Sequence, residues 1–436
     1  MATPHEKLAV SLEALKTLQY RGVVAIRATD LRRLDRERLV KNGFLQEVMK
    51  GWYIASRPDD AARESTAWYA SFWAFCADYL RQRFGSDWCL SPEHSLSLHA
   101  GNYAVPPQLV VRSPKGGNKI TALPYGTSLF DVRATVPEDK DIEERDRLRL
   151  FSLCAALIAS SPGFFEHNPT DARAALATIR DASEVLDRLL EGGHSTIAGR
   201  LAGAFRNIGR DRIADDIVNA MRAAGHSVRE LDPFASRINL VLPRREVSPY
   251  AGRIRLMWQQ MRGPVIQRFP ASPGRPKDTR LYLKHAQEVF VTDAYHSLSI
   301  EGYRVSAALI ERVRGGEWNP DANELDREHR NALAARGYWL AFQAVQKSLR
   351  RVLRKENPGA VAEEDHGAWY REMFAPSVTA GLLRAADLAG YRHAPVYIRR
   401  SMHVPPKGCR GACPEAPRRV EGLRVNCDTV SGCGLQ

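Results

Sequence analysis

No apolar run in this 436-residue chain reaches the roughly 18 to 20 residues that a membrane-spanning helix needs. The opening residues, MATPHEKLAVSLEALK, also lack the basic-then-apolar order of a signal peptide, so a cytoplasmic protein is expected. Cysteine is sparse and unevenly placed. Of seven, Cys76, Cys89 and Cys154 stand among apolar residues and read as buried reduced thiols, while Cys409, Cys413, Cys427 and Cys433 crowd into the last 28 positions. Acidic charge falls short of basic: 63 Lys and Arg face 50 Asp and Glu, a formal charge of +13 that favours polyanionic partners such as nucleic acid or nucleotides. A composition of 44% hydrophobic and 26% charged residues argues against general disorder. At roughly 150 residues per domain the length suggests about three units.

Residues 7 to 58 have a recognisable order. Leu8, Val10, Leu12, Leu15 and Leu18 fall partly at helical spacing; Asp30, Leu31 and Leu34 fit a short second helix; Asp35 to Asn42 fit a third that ends at Gly43. FLQEVMKGWYIAS then alternates like a two-stranded ribbon with its turn at Lys50-Gly51. Helix, helix, helix, ribbon is the winged-helix plan. Five basic residues, Arg32, Arg33, Arg36, Arg38 and Lys41, lie between Leu31 and Lys41 against Asp35 and Glu37. With Lys50 they form a candidate DNA-binding set, because cations on a recognition helix neutralise phosphates and release counterions. The competing reading is a winged helix used for protein contacts, its charges merely solvated.

Between about 60 and 228 an aromatic-rich helix is expected over Ala67 to Arg83, then strands around Pro107 to Pro124 turned by Lys115-Gly116-Gly117-Asn118. That loop reads either as a phosphate cradle or, given its flanking strands, as a plain hairpin turn. Helices follow over Leu148 to Ala159, Ala172 to Leu190 and Ala202 to Ala224, with Asn168-Pro169-Thr170-Asp171 as a start signal. Pro233, Pro243 and Arg244-Arg245-Glu246 mark 229–248 as a linker, and helical patterning resumes from Pro249 to about Leu388. From Pro406 onward, Gly, Cys, Arg and Pro make up 16 of 31 residues with no aromatic residue, too little apolar surface to offset chain entropy, so 406–436 is expected to be disordered. Cys409 and Cys413 have zinc-like spacing, but Cys427 and Cys433 do not complete a compact site and no histidine lies nearby. No metal site is expected.

The head, with KNGFLQEVMKGWYIAS and the later run RLFSLCAALIASSPGFF, resembles the winged-helix part and following domain of AbiEi-type antitoxins over residues 8 to 225. This resemblance implies a regulator that binds operator DNA. Ser297-Leu298-Ser299-Ile300-Glu301-Gly302 resembles the inhibitory motif of Fic-type AMP-transferases, in which the glutamate pairs with an arginine of the catalytic loop and displaces the ATP γ-phosphate. The other reading of these six residues is a simple helix C-terminus at Gly302. Tyr391-Arg392, Val396-Tyr397-Ile398-Arg399 and His403-Val404-Pro405-Pro406 resemble the flap of the same family, which pairs with the target's main chain. The flap residues so implied are Val396, Tyr397, Ile398, His403 and Pro405.

The catalytic loop of that family, His-x-Phe-x-Asp/Glu-Gly-Asn-Gly-Arg-x-x-Arg, does not follow. His403 is the last histidine and no Gly-Asn-Gly occurs anywhere, so a base for the target hydroxyl, an Mg²⁺ carboxylate and a phosphate-binding backbone are missing together. Full-length relatives would use ATP and Mg²⁺; neither is expected to bind productively here. The loss of pattern after Pro406 is what a GC-rich gene read in the wrong frame would give. The expected architecture is multidomain and mainly α with minor β: a winged helix (1–58), a mixed α/β middle domain (59–228), a linker (229–248), a truncated helical Fic-type core (249–405) and the tail. Its shortened core should leave Trp339, Phe342, Trp369 and Phe374 partly exposed and favour oligomers.

Overall fold

The computed structural model describes residues 3–56, 58, 65–234, 248–271, 274, 276–317, 330–388 and 395–403. Helix at 60% against 13% strand, in several small sheets, makes it mainly α with minor β, as the sequence suggests. Two compact units divide the chain. One holds the described residues up to Arg268 together with a hairpin at 396–403; the other holds those from Phe269 to Leu388.

The first unit opens with α1 (Pro4–Tyr20), whose start is fixed by a reciprocal cap: Thr3 Oγ1 accepts the Glu6 N–H, Glu6 Oε2 accepts the Thr3 N–H at 2.7 Å, and Pro4 occupies the first turn. The strand β1 (Ile26–Arg27), the helix α2 (Arg33–Lys41) and the ribbon β2 (Leu45–Met49) and β3 (Trp52–Ala55) follow. Gly51 takes the left-handed conformation at the Lys50-Gly51 turn (φ 82°), and the three strands run in the order β1-β3-β2. Leu15, Ile26, Leu31, Leu39 and Leu45 form the core of this head. Of the helix expected at Asp30 to Leu34, Asp30 closes the turn after β1 and Leu34 falls in the first turn of α2. Asp30 accepts the Arg27 N–H at 2.8 Å and pairs with the Arg27 guanidinium, so its carboxylate competes with helix propagation where only a few residues separate β1 from α2.

The middle of the unit is built on α3 (Thr66–Phe84), where Trp68, Phe72 and Phe75 stack edge-on in a fully buried aromatic row. Around it lie β4 (Cys89–Leu90), α4 (Pro92–His99), β5 (Gln108–Ser113), β6 (Lys119–Leu123) and β7 (Thr127–Arg133). The sheet order is β4-β5-β7-β6, with β5 parallel to β7 and β6 antiparallel to it. The hairpin expected across Lys115 to Asn118 is therefore overturned, since β7 lies between β5 and β6. Gly116 lies so close to β7 that a Cβ there would stand 2.6 Å from the Val132 carbonyl oxygen, and Asn118 and Gly116 both accept bonds from Arg133.

Next come the two-stranded β8 (Ile142–Arg145) and β9 (Leu148–Phe151), then the helices α5 (Leu153–Ala159), α6 (Pro162–His167), α7 (Pro169–Thr178), α8 (Ser183–Glu191), α9 (Ser195–Asn207) and α10 (Asp211–Ala223). Three expected helices are corrected here. Leu148 to Phe151 is strand, because its carbonyls and amides pair with β8. The run from Ala172 to Leu190 breaks where Glu184 accepts the N–H groups of Arg180 and Asp181 and so starts a new helix. The run from Ala202 to Ala224 breaks at Gly209, which is left-handed (φ 72°).

The opening residues of the expected linker are packed. The Leu231 N–H bonds the Gly199 carbonyl at 3.1 Å, and a Cβ on Gly199 would sit 2.0 Å from the Arg229 carbonyl oxygen; 235–247 lie outside the described residues. The helix α11 (Pro249–Arg268) then packs on α7, tied by Arg253 Nε to the buried Asp171 carboxylate at 2.7 Å.

The second unit is helical: α12 (Thr279–Glu288), α13 (Phe290–Ile300), α14 (Ala307–Arg314), α15 (Arg330–Leu353) and α16 (Pro358–Thr379). Phe290, Leu298, Ile310 and Leu333 are its core, and burying a ring such as Phe290 is worth roughly 2 kcal/mol. Trp339 and Phe342 are half-buried against Phe290, with ring centroids 4.8 and 4.7 Å away. Trp369 is half-buried and donates to Ser348 Oγ at 3.0 Å, while Phe374 is half-buried beside Tyr370.

Candidate functional site

The basic residues of the head divide into two groups. Arg36 donates to the Ala28 carbonyl at 2.6 Å and lies 5.9 Å over the Tyr53 ring. Arg38 approaches Asp35 at 3.4 Å, and the buried Asp35 also accepts the Ser11 hydroxyl at 2.7 Å. Arg36 thus fastens α2 to the Ala28 segment, while Arg38 stays on its own helix beside the Asp35 that reaches Ser11. Arg32, Arg33, Lys41 and Lys50 are exposed, at the two ends of α2 and at the ribbon turn. Arg33 pairs with Glu37 at 2.8 Å, one helical turn away; that hydrogen bond holds the Glu37 carboxyl below its ordinary range and the guanidinium above its own. Leu34 and Val40 are exposed on the same helix, an apolar element that the charge pattern concealed.

In the second unit, Ser297, Glu301 and Gly302 stand at the end of α13. Asp293 Oδ2 accepts the Tyr338 hydroxyl at 2.6 Å, and the Ser297 hydroxyl lies 3.2 Å from the Tyr338 oxygen. Burial, together with the Asp293 bond, pushes the Tyr338 hydroxyl up to about 12. Asp293 and Ser297 are i and i+4 on one helix face, so their spacing could have exposed this link; Tyr338, 41 residues onward on α15, carried no signal. Gly302 is left-handed (φ 84°), its N–H bonds the Ser299 carbonyl, and the Tyr303 N–H bonds the Leu298 carbonyl at 2.9 Å. This is a glycine helix stop with Glu301 exposed at the cap, where the negative end of the helix dipole opposes a carboxylate.

The hairpin β10 (Val396–Ile398) and β11 (Ser401–His403) pairs Val396 with His403, Tyr397 with Met402 and Ile398 with Ser401. Tyr397 packs against the aromatic core around α3, and the Arg400 carbonyl accepts the Val105 N–H at 2.7 Å. Burial pushes the Tyr397 hydroxyl up to about 12, with Tyr103 adding to the shift. Val396 and Ile398 are exposed and His403 is half-buried. The hairpin thus belongs to the first unit, whereas the sequence reading placed it with 249–405. Tyr391, Arg392, Val404, Pro405 and Pro406 lie outside the described residues, as do the four C-terminal cysteines.

The Gly302 and Tyr303 amides are spent on the helix stop. In the 115–118 loop the Gly116 N–H bonds the Ser113 carbonyl and the Lys115 N–H bonds Ser113 Oγ, so these two amides are taken up within the loop. Among the described residues no three His, Cys, Asp or Glu side chains gather as metal ligands. Burial raises the Cys89 thiol to about 12 and Cys154 to about 11, and raises Cys76 further, so these three are poor nucleophiles. No helix among the described residues is long and apolar enough to cross a membrane. Compared with known proteins, the chain matches no protein-family model, no curated protein and no solved structure.

Proposed function

We propose that this chain acts by binding: its head contacts DNA through Arg32, Arg33, Lys41 and Lys50, in the manner of a transcriptional regulator of antitoxin type. The observation that carries this reading is the exposure of those four cations at the ends of α2 and at the ribbon turn, on a chain of net charge +13. Phosphate contacts of this kind need exposed, mobile cations, and each contributes about one unit to the salt dependence of binding. Anisotropy titration with a duplex from the encoding promoter tests it. Replacing the four residues by alanine should weaken binding and flatten the salt dependence. Replacing Arg36 should instead cost about 1 kcal/mol of head stability, through the lost hydrogen bond to the Ala28 carbonyl. No binding at low salt would sink the reading.

A second reading concerns 290–403, where a carboxylate stands unfavourably at a helix C-cap, a local conflict of the kind found at functional positions. Here the chain is a Fic-type protein whose Glu301 lacks the catalytic loop it would restrain, and it transfers no AMP. Incubation with α-labelled ATP and candidate protein acceptors should leave every band unlabelled. Label on any acceptor, lost on boiling the protein first, would overturn this.

A further inference from the structure

Helix α15 turns to solvent a row of cations that nothing on the same helix balances. Its 24 residues hold Arg330, Arg336, Lys347, Arg350 and Arg351 and no Asp or Glu. Ala332, Leu333, Ala335 and Ala341 are its buried side. Away from them lie Arg336, Gln343, Lys347, Arg350 and, just past the helix end, Arg354, whose N–H still bonds the Arg350 carbonyl at 3.2 Å. At about 100° per residue these five fall within a band about 60° wide, and at about 1.5 Å per residue the row is about 27 Å long. Lys347, Arg350 and Arg354 are exposed and Arg336 is half-buried. No carboxylate among the described residues pairs with any of the four. Glu356, Glu364 and Asp365 are instead gathered by Arg351, at 2.7, 2.7 and 3.0 Å, on the side that meets α16. The helix dipole favours cations in the last turn, but Arg336 and Lys347 lie before it.

What the row lacks narrows what it fits. No large apolar side chain of α15 is exposed, and Leu340 beside the row is half-buried. A helix that lies on a membrane inserts exposed apolar residues, and a protein interface centres on an aromatic or aliphatic anchor; the row offers neither. It carries no aromatic ring either, so the bases of a single strand would find nothing to stack on. What remains is charge of one sign in a line, three of its four members guanidinium forks that match phosphate. A duplex carries one negative charge per about 1.7 Å of its axis, a ligand with the regular charge that such a line can follow. We propose that Arg336, Lys347, Arg350 and Arg354 form a second DNA surface, one that contacts the phosphates of a duplex without regard to sequence and is separate from the head.

The test uses the full chain with Arg32, Arg33, Lys41 and Lys50 replaced by alanine, so that the head contributes least, and a duplex of about 30 base pairs of arbitrary sequence. This chain should still bind at low salt. Adding Lys347→Gln, Arg350→Gln and Arg354→Gln should lower its affinity at least about tenfold and reduce the slope of log K against log salt by about 2.7, or about 0.9 per cation removed. Arg350→Lys with Arg354→Lys should keep the slope, because the charge stays. Lys347→Gln alone, read by a slope change of about 0.9, serves should the triple variant lose its circular dichroism. A slope that the triple change leaves intact overturns the proposal. So does a head-substituted chain that binds no duplex while the unsubstituted chain does, a result that leaves the head's DNA contact standing. If substituting the head changes nothing and the triple change abolishes binding, the head reading falls and this one holds. Flotation with phosphatidylglycerol vesicles that the triple change abolishes, with DNA binding untouched, would make the occupant a membrane and equally overturn it.

Discussion

His94 shows how one enclosed side chain ties stability to pH. It sits in the first turn of α4 with Nδ1 3.1 Å from Ser91 Oγ, and burial pushes its imidazole down to about 4. The folded state therefore prefers the neutral ring. This contribution is complete above the unfolded value near 6.5 and is lost as pH falls through 4. His99, whose Nε2 lies 2.8 Å from the Phe151 carbonyl oxygen, is shifted the same way by burial. Chemical denaturation at pH 7 and pH 4.5 should show a loss on the order of 2 kcal/mol that His94→Gln reduces. An unchanged pH dependence in that variant would place the acid sensitivity elsewhere. The same scale shows why sequence alone could not divide the head's cations. Arg33 and Arg36 look alike in a charge pattern, and only the fold sends Arg36 to the Ala28 carbonyl while leaving Arg33 with Glu37 in solvent.

Between elements, close approach decides more than composition. Gly337 on α15 faces α16 so tightly that a Cβ would lie 1.8 Å from the Met373 carbonyl oxygen. Gly337→Ala must push the two helices apart, and a loss of about 2 to 3 kcal/mol is expected in the second unit alone. Calorimetry would then show its transition moving down while that of the first unit stays; a shift in neither would mean that the helices separate freely. Local pattern revealed α1, α3, the β2–β3 ribbon and the glycine stop at Gly302, because caps, periodicity and turn residues act over a few positions. It missed what depends on distant pairing. Leu148 to Phe151 runs into the apolar residues of α5 and reads as one helix, yet β8 claims it as a strand. Lys115 to Asn118 has hairpin chemistry, yet β7 inserts between the strands it joins. Ser297 was legible as part of a motif, but its contact with the Tyr338 hydroxyl was not, since the two are 41 residues apart.

For the molecule as a whole, the first unit is closed by residues that come late in the sequence. The Val105 amide bonds the Arg400 carbonyl across 295 positions, and Tyr397 fills part of the aromatic core. In hydrogen exchange the Val105 amide should be protected in the full chain. It should exchange much faster once 395–436 is deleted, while amides of α9 and α10 keep their protection. Equal rates at Val105 with and without the deletion would show that the hairpin docks too weakly to matter.

The same hairpin bears on how the protein is made. Translation delivers residues at roughly 5 to 20 per second, so the 135 residues between Arg268 and His403 take roughly 7 to 27 seconds to emerge. Throughout that interval the aromatic core around α3 waits without Tyr397, on a nascent chain whose remaining partners are already outside the ribosome. A chaperone that shields aromatic surface would find its substrate in this interval, and a stall before codon 397 would hold the first unit open.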